Sequence, residues 1–168
     1  MNIGDAAPAF AGTDDNGTAL SLEGLRGKWV VLYFFPKAAT YSMGCAIETQ
    51  KFESVLPDLH ALGAEVIGIS TDSSAALGKF KTHCKSSFPM LSDSDKRIGK
   101  AYGVMGGLSG LLGAADRQTF LIDPQGRLAQ RWKVGNIMTH ATDVKQALEA
   151  RVKARTASRI GLTSQFIF

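Results

Sequence analysis

Cys45 stands where a thiol can become a nucleophile. It follows an unbroken apolar run, Trp29 to Phe35, rich in β-branched and aromatic residues and ended by Pro36. Such a run predicts a strand buried on both faces, as in the middle of an α/β sheet. Proline lacks the N–H that would extend the ladder. A polar loop follows. Then Ile47, Phe52, Val55, Leu56, Leu59 and Leu62 recur at helical spacing, which predicts an amphipathic helix. Cys45 therefore falls at or near the first turn of a helix that leaves a central strand. Unpaired N–H groups and the positive end of the helix dipole favour an anion there. A free thiol is only a few per cent thiolate at pH 7, and the thiolate is the attacking form. Placement alone leaves two readings open: a reactive thiolate, or a small buried hydrophobe.

The rest of the chain must position that sulfur. At 168 residues, 45% apolar and 20% charged, it is read as one globular domain over residues 1–155 with a tail, 156–168, of unassigned role. Nineteen basic and fifteen acidic residues give a net charge of +4, too mild an excess to imply nucleic acid. Two cysteines are too few for a secreted disulfide scaffold. No signal peptide and no run of eighteen apolar residues is visible, and the expected location is the cytoplasm. His60 and His140 have no acidic or cysteine partners at ligand spacing, so neither a metal nor a cofactor is expected. The basic residues Lys145, Arg151, Lys153, Arg155 and Arg159 read as a solvated helix face.

In chain order, Asp14–Gly17 is a turn signal before a short strand at Thr18–Leu22. After the Cys45 helix, Gly63 suits a helix end and Ala64–Ser70 reads as a second buried strand. Ser73 or Ser74 can cap a helix that reaches Cys84. An extended piece at Phe88–Asp93 and a small helix from Asp95 towards Tyr102 follow. Gly103–Ala115 reads as a glycine-rich apolar lip; it lacks the Gly-Lys-Ser/Thr of a phosphate loop. Arg117–Asp123 and Arg127–Val134 form a strand pair around Pro124-Gln-Gly126, and a last helix begins near Thr139. The order of elements predicts an α/β fold with a mixed sheet.

The segment Tyr33-Phe-Phe-Pro-Lys37, a hydroxyl residue, Gly44-Cys45, then Glu48 and Phe52, resembles the active-site segment of peroxiredoxins, most closely the peroxiredoxin Q or bacterioferritin comigratory protein subfamily. The opening Gly4-Asp-Ala-Ala-Pro-Ala-Phe10 and Arg117-Gln-Thr-Phe-Leu-Ile-Asp123 also match, so the resemblance covers roughly Gly4 to Leu148. The chain departs from the family between threonine and cysteine. Thr40 lies five positions before Cys45, two more than in the family, and Tyr41-Ser42-Met43 replaces the family's proline between threonine and glycine. Ser42 occupies the minus-three position. Either Thr40 or Ser42 is left to contact the peroxide.

The resemblance implies a thioredoxin-like fold with a mixed central sheet, an N-terminal β-hairpin and flanking helices. It implies a thiol peroxidase for hydrogen peroxide and alkyl hydroperoxides, with Cys45 as the peroxidatic cysteine that becomes a sulfenic acid. Arg117 is then the guanidinium that reaches it, and Pro36 and Gly44 belong to the substrate-binding segment. Glu48 joins them, either handling protons or favouring the helix start. Cys84 is the candidate resolving cysteine, 39 positions after Cys45; the alternative is a bystander and an external thiol. A Cys45–Cys84 disulfide would restrict the unfolded chain by about 4 kcal/mol in the chain-entropy model. Thioredoxin or glutaredoxin is the implied reductant, and a monomer or weak homodimer the implied assembly. Two other classes compete: a redox sensor or holdase of the same fold, and a thioredoxin-like disulfide oxidoreductase. The latter needs Cys-x-x-Cys, and Glu48 holds its fourth position.

Overall fold

A computed structural model of the chain describes residues 1–37 and 43–165. Strands β1 (Ala11–Thr13) and β2 (Ala19–Ser21) pair antiparallel as an N-terminal hairpin. Next come β3 (Trp29–Phe34), α1 (Met43–Ala61), β4 (Ala64–Ser70) and α2 (Ser74–Cys84). They are followed by β5 (Met90–Ser92), α3 (Arg97–Ala101), α4 (Leu108–Leu111), β6 (Gln118–Ile122), β7 (Leu128–Lys133) and α5 (His140–Gln165). Five strands form one sheet in the order β5-β4-β3-β6-β7. The β3–β4 and β4–β5 pairs are parallel, and β3–β6 and β6–β7 are antiparallel.

β3 is buried along its whole length because both faces of the sheet are covered. Its side chains alternate between two cores, as the period of two requires. Val31, Tyr33 and, just beyond the strand, Phe35 pack with Phe52, Leu56 and Leu59 of α1, Leu77 and Phe80 of α2, and Val144 and Leu148 of α5. Val30, Leu32 and Phe34 face the opposite core with Phe10, Ile98, Tyr102, Phe120 and Ile122. Each such side chain contributes about 1.5–3 kcal/mol by leaving water. Gly68 faces Tyr33 across the β3–β4 pair, and a Cβ there would come within 3.0 Å of the tyrosine ring. The glycine makes room for the Tyr33 ring.

Local signals set the helix ends. Gly63, at φ +81, takes the left-handed turn between α1 and β4. Ser73 caps α2 by accepting the Ala76 N–H at 3.2 Å.

Helix α5 runs on through position 155 to Gln165. Two sequence expectations are corrected. The glycine-rich stretch after Gly103 is not loop throughout, because α4 interrupts it. The basic residues of α5 are not simply solvated. The Arg155 guanidinium lies 4.7 Å from the Trp29 ring centroid and 3.3 Å from Asp123. Arg151 donates to the Ala129 and Ala147 carbonyls, and Lys145 pairs with Asp58 at 3.1 Å. Long cationic side chains lay their stems and planes on apolar surface while the charge finds a partner.

Candidate active site

The site lies at the end of the sheet where β3 stops and α1 begins. Cys45 is the third residue of α1 and is buried. Its neighbours along α1 at the inward positions are Glu48, Thr49 and Phe52, all buried. This face is polar at its start and aromatic one turn later, and it packs on Tyr33 of β3. The Tyr33 hydroxyl and Thr49 Oγ1 are 2.9 Å apart, so the hydroxyls satisfy each other. The Tyr33 ring lies 4.8 Å from Phe52 and 5.7 Å from Phe88.

Arg117 reaches this point from far away in sequence. It directly precedes β6, and the antiparallel β3–β6 register sets Gln118 opposite Phe34. The start of β6 therefore lies beside the end of β3. Arg117 Nη2 donates to Cys45 Sγ at 3.3 Å. Its Nη1 donates to Glu48 Oε2 in a close, charge-assisted bond. The guanidinium thus bridges the sulfur and the carboxylate one helical turn along. Burial opposes the charge of Arg117, but Glu48 and Cys45 outweigh it and hold its pKa above the ordinary value.

Glu48 is 1% exposed, so its role at the helix dipole is secondary to its contact with Arg117. Burial pushes its carboxyl up to about 7, against the opposing pull of Arg117. Its Oε1 has no hydrogen-bond partner among the described residues. Gly44 packs directly against the guanidinium: a Cβ there would stand 3.3 Å from Arg117 Nη2 and 3.6 Å from Ile137 Cδ1. Met43 and Met138, the chain neighbours of Gly44 and Ile137, are exposed.

Pro36 is half-buried in the bend after β3. Thr40 and Ser42 lie outside the described residues. Cys84 ends α2, and both thiols are buried in the same core beside Tyr33. Burial, reinforced by the charge of Cys45, pushes the Cys84 thiol up to about 11.

No metal-ligand spacing surrounds His140 in the sequence. It is buried at the start of α5, where Nε2 lies 2.8 Å from Thr119 Oγ1. It meets Phe52 and Trp132 edge-on at 5.7 and 5.8 Å. Burial drives its pKa down to about 4, and Arg117 adds to that. The other histidine of that pair, His60, does have an acidic neighbour: Glu65 at 3.6 Å. Among the described residues, no group of three His, Cys, Asp or Glu side chains could hold a metal. Among the same residues, no helix is long and apolar enough to cross a membrane.

A family model described as AhpC/TSA matches residues 3–131. Peroxiredoxin Bcp of Xanthomonas campestris is 35% identical over 142 residues, covering 82% of this chain and 86% of that protein. The solved structure of a cysteine-to-serine mutant of Xylella fastidiosa PrxQ aligns at a TM-score of 0.83 and 31% identity, over 90% of this chain and 97% of that one. The bacterioferritin comigratory protein of Xanthomonas campestris aligns at 0.78 and 30% identity, over 85% and 92%. The fold is thioredoxin-like, as these neighbours are. Peroxiredoxins take hydroperoxides and depend on thioredoxin-type reductants. By the extent of these matches the chain belongs to the AhpC/TSA family, and within it to the peroxiredoxins of the Bcp or Q kind, which are thiol peroxidases.

Proposed function

We propose that Cys45 is the peroxidatic residue of this peroxidase and that Arg117 activates it and binds the peroxide. The observation that carries this reading is the 3.3 Å contact between Arg117 Nη2 and Cys45 Sγ at the first turn of α1. A guanidinium and the N–H groups at a helix start both favour the thiolate. The sulfur attacks the terminal oxygen of the hydroperoxide, the O–O bond breaks, and the alkoxide leaves as alcohol after taking up a proton. Cys45 is left as a sulfenic acid. Arg117 and backbone donors near Gly44 stabilise the charge as it moves to the leaving oxygen. Glu48 holds the guanidinium in place, Pro36 shapes the entrance, and Thr40 or Ser42 supplies a hydroxyl to the peroxide.

Hydrogen peroxide and alkyl hydroperoxides are the substrates we assign. Ile137 at the Gly44 contact, with the exposed Met43 and Met138 next to Gly44 and Ile137 in the chain, supports the second class. So does the similarity to the Xanthomonas campestris protein, which is described for alkyl peroxide reduction. Cys84 is the resolving thiol in this reading. It condenses with the sulfenic acid to an intramolecular disulfide, and thioredoxin or glutaredoxin returns both thiols. The catalytic unit is residues 1–155. The cytoplasm, where thiols stay reduced, suits an enzyme with two free cysteines.

Peroxide consumption coupled to thioredoxin and its reductase tests the proposal. Turnover is expected with the wild type and none with Cys45→Ser. Cys84→Ser should give one rapid oxidation and then fail to recycle. Insulin reduction without peroxide, or oxidation of Cys45 without turnover, would overturn the peroxidase cycle as written.

A further inference from the structure

The two ends of α2 are held unevenly. Its start is capped by Ser73. Its end, which carries Cys84, is closed by backbone bonds from Lys85 to Thr82 and from Ser86 to Lys81, but it also holds unfavourable pieces. Lys85 takes the left-handed conformation, φ 54 and ψ 41, without being glycine. Ser86 Oγ is buried with no hydrogen-bond partner among the described residues. Gly78 sits inside the helix where a Cβ would meet nothing within 4 Å. Packing does not require a glycine there, and it weakens the helix relative to alanine. Glu53 of α1 counters these weaknesses. Its carboxylate accepts the Ser87 N–H at 2.9 Å and the Ser87 hydroxyl at 2.6 Å. Phe88, the next residue, is buried against Tyr33.

We propose that Glu53 is a positioning residue for the resolving step: a latch on Ser87 that keeps the Cys84 end of α2 closed and sets how fast Cys84 reaches oxidised Cys45. The proposal rests on Cys84 being the resolving thiol. In that step the Cys84 sulfur attacks the sulfenic sulfur of Cys45. An S–S bond forms, the S–O bond breaks, and the hydroxyl leaves as water with the Cys84 proton. The two cysteines sit on different helices, both buried, and a disulfide needs their Cα atoms within about 7 Å in a narrow geometry. In this reading the end of α2 is the segment that gives way, because the Arg117–Glu48 bridge holds the start of α1. A latch that opens slowly holds Cys45 in the sulfenic state longer, where excess peroxide carries it to the sulfinic acid.

The test is a single turnover. Protein is mixed with one equivalent of hydrogen peroxide, thiols are blocked at intervals, and sulfenic acid and disulfide are counted by mass. Glu53→Ala should form the Cys45–Cys84 bond about tenfold faster than wild type, through loss of two charge-assisted bonds at a partly exposed site. Gly78→Ala should form it about fivefold slower, through a stiffer helix. The first oxidation of Cys45 should be unchanged in both. Opposite signs from two variants distinguish a latch from a general loss of fold. Ser87→Thr, which keeps both donors, should return the wild-type rate. Equal disulfide rates in wild type, Glu53→Ala and Gly78→Ala would overturn the latch alone. No Cys45–Cys84 bond in the wild type would remove the resolving assignment and the latch together.

Discussion

Arg117 donates to Cys45 Sγ and to Glu48 at the same time, across 72 and 69 residues of sequence. One planar cation is thereby fixed between the nucleophile and a buried carboxylate. Lysine would hold both partners less firmly, because its ammonium is a point charge on a flexible stem.

Arg117→Ala should slow the oxidation of Cys45 by hydrogen peroxide by about 10²–10³, the usual loss when a preorganised donor to a developing charge is removed. Arg117→Lys should recover part of it. Stopped-flow rates under pseudo-first-order peroxide decide the matter, and an unchanged rate in Arg117→Ala would remove the arginine from the chemistry.

Gly44→Ala separates geometry from stability. The new methyl stands 3.3 Å from Arg117 Nη2 and must push the guanidinium by a few tenths of an ångström. Alanine is the better helix former by up to about 1 kcal/mol. Oxidation should fall about tenfold while the melting temperature holds or rises. A variant as fast as wild type would show that the close approach at Gly44 does not matter.

Glu48 should make stability fall as pH rises. Its folded pKa is about 7 against 4.5 for the free group. The folded protein therefore binds more protons than the unfolded chain between those values. Its favourable contribution is complete below about 4.5 and is lost as pH climbs through 7. The full swing is of order 3 kcal/mol. Glu48→Gln keeps the shape and lacks the titration. Denaturant unfolding at pH 5 and pH 8 should show wild type losing ground to the variant at the higher pH; parallel values would refute it.

His140 should act in the opposite sense. Its folded pKa is about 4 against 6.5 for the free group, and the unfolded chain takes up the proton first. Its contribution is complete above about 6.5 and is lost as pH falls towards 4, again of order 3 kcal/mol. Between 4.5 and 6.5 the two groups offset each other. His140→Gln, which can still meet Thr119 Oγ1, should flatten the acid limb of the stability curve. An acid limb as steep as wild type's would place the proton uptake elsewhere.

Much of the fold could be read before folding. The apolar run of β3, the Pro36 stop, the helical spacing after Cys45, the Ser73 cap and the Gly63 turn are all local, and each element formed within a residue or two of its expected place. Local patterns are legible because backbone sterics, capping and side-chain periodicity act over a few residues. Reading failed where a residue's partner came from another element. In the sequence Glu48 reads as a proton handler or a dipole residue, His140 as a histidine without ligand partners, and Arg155 as a solvated charge. Each is defined by a neighbour more than twenty positions away or by burial that no local pattern encodes, as with Thr119 for His140 and Asp123 for Arg155.

The amino-acid order alone placed a thiol at the mouth of a helix that leaves a buried strand, because strand and helix signals on either side of Cys45 are contiguous. Tertiary structure decided what that thiol faces. The sheet lays β6 antiparallel beside β3, so the start of one strand meets the end of the other and Arg117 arrives at the sulfur. Charge placement of that kind depends on register between distant strands, and register is settled only when both cores close on the two faces of the sheet.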